Sequence, residues 1–325
     1  MIKILFNGFR HGHINALYKK VSESDLAEIT GCIEANEAAR KAAEANLGAA
    51  FSDKSYDEWL ASDIDAVAVG TAYGDRGATI IRALEAGKHV ISDKPICTSF
   101  EELEKIRELS EKNDLKVVCM LDIRYTPQSI KAKEILDSGR LGEVRNIAFN
   151  GQHCIDYAHR PSWYFEEGMH GGTINDLAIH GIDLVRMLTG MEFDKIDAAR
   201  VWNSYADRTP DFKDSALFMA RLTNGAGVIA DVSYSAPSQV FSMPTYWEFK
   251  VWCAKGLLAF NYIDSKITIY EEGTAEPIVI DCTETNGDYL TDFAAELKGG
   301  RKMTEVIFDS TAVALRIQSE ADKEA

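Results

Sequence analysis

From Met1 to about residue 120, short apolar runs alternate with longer segments in which apolar positions recur every three or four residues. KILF, EITGCIE, AVAVGT, HVISDK and KVVCML have the compact apolar pattern of strands. Between them NEAARKAAEANLG, GATIIRALEAGK and SFEELEKIRELSEKN have the helical period; the first stops at a glycine and the last opens on a serine cap with an acidic first turn. Strand and helix in alternation, joined by short connections, predict parallel βαβ units.

Beyond about residue 125 the texture changes. SIKAKEILDSGRLG predicts a helix ending at glycine, and GTINDLAIHGIDLVRMLTG another, with Leu177, Ile182, Leu184, Val185 and Leu188 on one broad apolar face. From about residue 195 long strands follow one another: KIDAARVWNSY, SALFMARL, VIADVSYS, YWEFKVWCA, LLAFNYI and KITIYEE, with the turn TNGAG between the second and third. TEVIFDSTAVALRIQSEADKEA reads as a closing helix. The pattern predicts an α/β protein with a parallel-sheet domain over residues 1–121. An α/β domain with a large, mostly antiparallel open sheet is expected over residues 122–325.

The charge narrows the partners. With 35 basic and 51 acidic side chains, the net charge of -16 opposes nucleic-acid backbones and anionic membranes. Six cysteines form no C-x-x-C pair, so neither a zinc site nor a disulfide framework is suggested. The apolar run at the N-terminus is too short for a signal peptide, and no segment approaches the roughly 18 apolar residues of a spanning helix. A soluble, cytoplasmic protein is expected.

Four places carry candidate chemistry. FNGFRHGHI follows the first strand as a dinucleotide-binding turn would, but if Gly8 is the first glycine of G-x-G-x-x-G, the second falls on Arg10 and the third on His13. Glu34 ends the second strand, where a carboxylate can accept both ribose hydroxyls of an adenosine and repel a 2′-phosphate. Asp93-Lys94-Pro95 puts a lysine at the carboxyl end of a parallel strand, where open α/β sheets bind ligands. Asp176, His180 and Asp183 fall along one stripe of a helix, either as an acid–base group or as ordinary polar residues of an amphipathic helix.

Together these residues resemble the glucose-fructose oxidoreductase, inositol dehydrogenase and MocA family of nicotinamide-dependent oxidoreductases. Asp93-Lys94-Pro95 is similar to the family's E-K-P motif, and the stretch from His170 to Asp183 to its G-G-G-x-x-x-D-x-G-x-H-x-x-D motif. TAYGDRGATIIRALEAGKHV looks like the family's T-P-N segment and following helix. The resemblance implies an N-terminal Rossmann domain binding NAD in preference to NADP, with Gly8, Phe9, Arg10, His11, Glu34, Thr71, Ala72, Asp93, Lys94 and Asp122 around the cofactor. It implies Lys94, Asp176 and His180 as the catalytic group, with Arg124 and Trp163 joining them around a sugar, cyclitol or related polyol. Histidine would accept the hydroxyl proton and lysine stabilise the developing alkoxide.

Departures cluster at the nicotinamide end: Asp93 for glutamate, Ala72 and Tyr73 for proline and asparagine, Arg76 for histidine, and Asp122 for asparagine. His170, Asp176, His180 and Asp183 are metal-ligand types, but the acid–base reading uses them and no metal is expected. A homodimer or homotetramer would cover the open sheet. Two other functions fit the same residues: a glycosidase working through a keto sugar with bound NAD, and a non-catalytic metabolite sensor with an altered glycine loop.

Overall fold

Five parallel strands order the N-terminal part of the chain: β1 (Ile2–Asn7), β2 (Ala27–Ile33), β3 (Ala66–Val69), β4 (His89–Ser92) and β5 (Val117–Cys119), laid out as β2-β1-β3-β4-β5 in the computed structural model. β3 lies centrally and its four residues, AVAV, are all buried, as a parallel strand covered on both faces requires. Between the strands run α1 (His13–Ser22), α2 (Glu37–Leu47), α3 (Tyr56–Leu60), α4 (Tyr73–Glu85) and α5 (Phe100–Asn113). Asn36, Ser55 and Ser99 cap α2, α3 and α5, and Ser55 forms a capping box with Glu58. α1 is different: Gly12 precedes it without a side-chain cap, and its first turn holds no acidic residue. The leading N–H groups of that helix are therefore not occupied by a local side chain.

A helix α6 (Pro127–Asp137) then leads to eight further strands: β6 (Val144–Gln152), β7 (Phe193–Trp202), β8 (Ser215–Leu222), β9 (Gly227–Ser233), β10 (Phe249–Cys253), β11 (Gly256–Phe260), β12 (Lys266–Glu271) and β13 (Ile278–Asp281). They form one sheet in the order β13-β12-β11-β10-β6-β9-β8-β7, antiparallel except for the β6–β9 pair. One turn of π-helix, Ile174–Ala178, leads into α7 (Ile179–Thr189). A Cβ on Gly181 would lie 2.2 Å from the Phe149 ring, so the glycine lets α7 settle directly on β6. The opposite face of the sheet is apolar and bare, with Leu217 46%, Met219 51% and Ile229 53% exposed around a hollow of about 500 Å³.

The chain closes with α8 (Tyr289–Glu296) and α9 (Met303–Asp322). The structure describes residues 1–283, 285 and 287–323, so the last two residues of the predicted closing helix lie outside it. Two compact units result. The first joins Met1–Met120 to Pro161–Gly171 and Gly287–Ala312; the second holds Leu121–Arg160, Gly172–Asn286 and Val313–Ala325. A division of the chain at residue 121 thus omits two stretches that return to the first unit, because packing rather than sequence adjacency decides membership. Among the described residues, no helix is long and apolar enough to cross a membrane.

Candidate functional site

In the first unit the β1–α1 turn is built backbone on backbone. Gly8 has φ +92°, and a Cβ there would lie 2.6 Å from the Thr71 nitrogen; a Cβ on Gly70 would lie 2.4 Å from the Gly8 oxygen. Only glycine tolerates both the left-handed conformation and the contact. The Arg10 amide then donates to the Gly70 oxygen at 2.8 Å. At the end of β2, Glu34 accepts the Phe9 amide at 2.6 Å and the Asn36 amide at 2.7 Å, which fixes its carboxylate beside the turn.

Asp93, just past β4, is wholly buried and accepts three hydrogen bonds, with His13 close beside it. On Oδ1 the Lys94 amide donates at 2.7 Å and His13 Nδ1 stands 3.3 Å away; on Oδ2 His11 Nδ1 donates at 2.7 Å and Arg76 Nη2 at 3.3 Å. A carboxylate offers about four acceptor directions, and protein donors take three of them. The expected contact of Asp93 with the cofactor would have to share the carboxylate with these groups. Burial pushes the His11 imidazole down to about 4 in spite of Asp93. Burial also opposes the charge on Asp93, but His11 and the Arg76 guanidinium outweigh it and hold the carboxyl well below its usual range. Arg76 is itself buried and anchored on the carbonyl oxygens of Lys94, Pro95 at 3.0 Å and Thr71 at 2.8 Å.

Lys94 is 3% exposed, with Nζ 3.4 Å from the Tyr73 hydroxyl and 5.5 Å from that ring's centre. Tyr73 shares a 2.7 Å hydrogen bond with the Tyr164 hydroxyl and packs edge-on against Trp163, their rings 4.7 Å apart. Trp163 Nε1 donates to the Arg10 oxygen at 3.1 Å. Trp163, expected around the substrate, is thus a buried brace of the first turn. Ala72, also buried, takes the position before α4, and its neighbour Thr71 keeps a buried Oγ1 with no hydrogen-bond partner among the described residues. Tyr164 is not among the expected site residues, and His13, Tyr73 and Arg76 enter the sequence reading only as departures from the family pattern. The signal for them lies in their placement beyond the carboxyl ends of β1 and β3 and in the stretch that returns at residue 161.

In the second unit, Asp176 falls within the π-helical turn and is 1% exposed; the Tyr234 hydroxyl donates to its carboxylate. His180 follows in α7, 7% exposed, its ring 5.6 Å from and edge-on to Trp247. Asp183 pairs with Arg124 at 3.1 Å, with both side chains buried. Arg124, expected to meet substrate, thus has its charge met by the protein. Asp122 opens the short 3₁₀ turn Asp122–Tyr125 that carries Arg124. Tyr234 and Trp247 come from β9's exit and β10's entry, where sequence pattern shows only aromatic core.

The Rossmann-fold model of an NAD-binding oxidoreductase family matches residues 4–121, and the GFO/IDH/MocA C-terminal domain model matches residues 129–259. The chain belongs to the GFO/IDH/MocA family. Levoglucosan dehydrogenase of Pseudarthrobacter phenanthrenivorans is 26% identical over 62% of this chain and 56% of its own length. Inositol 2-dehydrogenase 2 of Saccharopolyspora erythraea is 28% identical over 69% of this chain and 63% of its own length. The match thus spans less than two thirds of each of these relatives. Levoglucosan dehydrogenase in complex with NADH and levoglucosan superimposes with a TM-score of 0.82 at 19% identity, covering 100% of this chain and 98% of the other. The aldose-aldose oxidoreductase of Caulobacter crescentus with glycerol gives 0.80 at 17% identity, covering 100% and 98%. At such identities the likeness is one of fold.

As a GFO/IDH/MocA protein, the first unit can be tested for fit to a dinucleotide. Nothing lies within 4 Å of a Cβ placed on Gly12, so space is open before an uncapped helix N-terminus, the usual seat of a pyrophosphate. Thr71 Oγ1 is an orphaned buried group at the end of β3. Glu34 is held at the end of β2, beside the turn, by the Phe9 and Asn36 amides. These features fit the group; Asp93, already holding three protein donors, is the member of the expected set that fits least.

Proposed function

We propose that the protein is an NAD-dependent dehydrogenase acting at a secondary alcohol of a sugar, cyclitol or related polyol. The observation that carries the reading is Lys94, buried at the carboxyl end of a parallel strand inside a domain matched by an NAD-binding family model. Nicotinamide, when bound, supplies the hydride acceptor or donor. Gly8, Phe9, Arg10, His11, Thr71, Ala72 and the α1 N-terminus would hold the dinucleotide, and Glu34 would disfavour a 2′-phosphate. Within the second unit, His180 would accept the substrate hydroxyl proton while Asp176, aligned by Tyr234, orients a neighbouring hydroxyl. Lys94 would stabilise the oxygen as it becomes an alkoxide.

A screen of sugars and cyclitols with NAD, read at the NADH absorbance, tests the reading. Oxidation of at least one polyol that is lost in Lys94→Ala is the expected result. Release of free sugar from a glycoside without net NADH would move the assignment to the glycosidase, and absence of NAD binding to the sensor. The bare apolar face around Met219 and Ile229 supports a homodimer or homotetramer, read by light scattering.

A further inference from the structure

Among the described residues, one set of three His, Cys, Asp or Glu side chains brings its ligand atoms within 4.8 Å of one another: His11, His13 and Asp93. We propose that these three bind a divalent transition-metal ion such as Zn²⁺, Fe²⁺ or Mn²⁺. Two imidazoles and one carboxylate are a donor set for such ions. Metal–ligand bonds of about 2.0–2.2 Å place adjacent donors roughly 3 Å apart. The Nδ1 atoms of His11 and His13 stand 2.7 and 3.3 Å from the Asp93 oxygens. The two rings are 4.4 Å apart and inclined at 68°, an edge-on arrangement in which the ligand atoms of both lie within 4.8 Å of each other and of the Asp93 carboxylate.

Hydrogen bonding alone does not require both histidines here. The Lys94 amide and the Arg76 guanidinium already serve the carboxylate, one on each oxygen. Arg76 is anchored by three carbonyl oxygens, so it stays in place if Oδ2 turns from its 3.3 Å contact toward a metal. The Lys94 amide on Oδ1 would then orient the ligating carboxylate, a supporting contact of the kind metal sites use. The backbone that carries the histidines is fixed by the Arg10–Gly70 bond, and the His13 side chain, 40% exposed, leaves a way in. With Arg76 and Lys94 alongside, the remaining coordination positions favour an anionic oxygen donor, such as a phosphate.

The test uses the full chain stripped with chelator and free of nicotinamide, so its outcome is independent of the dehydrogenase reading, which NAD titration checks separately. Zn²⁺ is titrated by calorimetry and Co²⁺ by its visible absorption. One ion per chain is expected, with affinity falling about 100-fold or more in His13→Ala and in His11→Ala, and unchanged in His159→Ala at a surface histidine. His13→Ala removes a partly exposed side chain, and its melting curve reports that the fold is kept. Absence of binding, or equal affinity in folded His13→Ala, would leave a hydrogen-bonded triad only and overturn the proposal. An equal loss in His159→Ala would do the same by showing adventitious surface binding.

Discussion

Glu34 accepts the Phe9 amide at 2.6 Å, so the carboxylate at the end of β2 is tied to the turn that follows β1. It is an anion whose position the backbone sets. Glu34→Gln keeps the size and an acceptor but removes the charge that would face a 2′-phosphate; like charges in a desolvated contact cost several kcal/mol. The preference for NAD over NADP should fall at least about tenfold, which corresponds to roughly 1.4 kcal/mol. Calorimetric titration of both cofactors measures it, and an unaltered ratio would show that Glu34 serves the turn and not the choice of cofactor.

Replacing His180 by alanine should lower turnover by about 10²–10⁴ on whichever polyol the screen identifies, with the fold retained. Lys94→Ala should lower it similarly and weaken NAD binding more, because Lys94 belongs to the cofactor-binding unit and His180 to the other. Steady-state rates beside NAD titrations separate the two. Near wild-type turnover in His180→Ala would remove it from the role of base.

The Arg124–Asp183 pair is buried on both sides, so removing one member takes a buried counter-charge away from the other. Arg124→Met should destabilise the protein by about 3–5 kcal/mol in chemical denaturation. Adding Asp183→Leu should recover part of the loss by removing the buried charge that has lost Arg124. If Arg124→Met instead leaves stability intact and abolishes polyol oxidation, Arg124 meets substrate as the sequence suggests.

Asp288 caps α8 through the Thr291 amide at 2.8 Å and pairs with Lys20 at 2.8 Å. Burial opposes its charge, but the bonds from Lys20 and Thr291 prevail and hold its carboxyl below the usual value. A folded pKa below the unfolded one means that the stabilisation is complete above about pH 4 and fades as the pH falls through the folded value. Asp288→Ala should therefore cost about 0.5–2 kcal/mol at neutral pH, and the gap to wild type should close in acid. Denaturation midpoints from pH 7 down to pH 3 give the curve; a gap that stays constant would assign the loss to packing.

Much of this architecture was readable because it rests on periodicity. The five parallel strands, α2, α5 and α7 all appear where runs and caps place them. α3 was not visible: its five residues are held by the Ser55–Glu58 box, which creates no apolar period. β13 is four residues long, and β6 mixes polar residues into its alternation. The expected site residues divide in the same way. Lys94 sits at a strand end as topology dictates, whereas the partners of Asp93 come from three separate points in the chain and no spacing rule joins them. Arg124 looked available for substrate because its partner Asp183 lies far along the sequence. The histidines weighed for a metal were those of the second motif, whereas the pair that meets a carboxylate stands in the altered glycine turn.

The main-chain contact between Gly8 and Gly70 has a consequence for how such a turn evolves. Its course is set by two residues without side chains and by hydrogen bonds from the Gly8 amide to the Ile33 oxygen and from the Arg10 amide to the Gly70 oxygen. Positions 10, 11 and 13 are thereby relieved of shaping the chain and become interchangeable inserts on a fixed frame. A lineage could exchange glycines for arginine and histidine at those places, and alter what the strand ends bind, without first redesigning the fold that presents them.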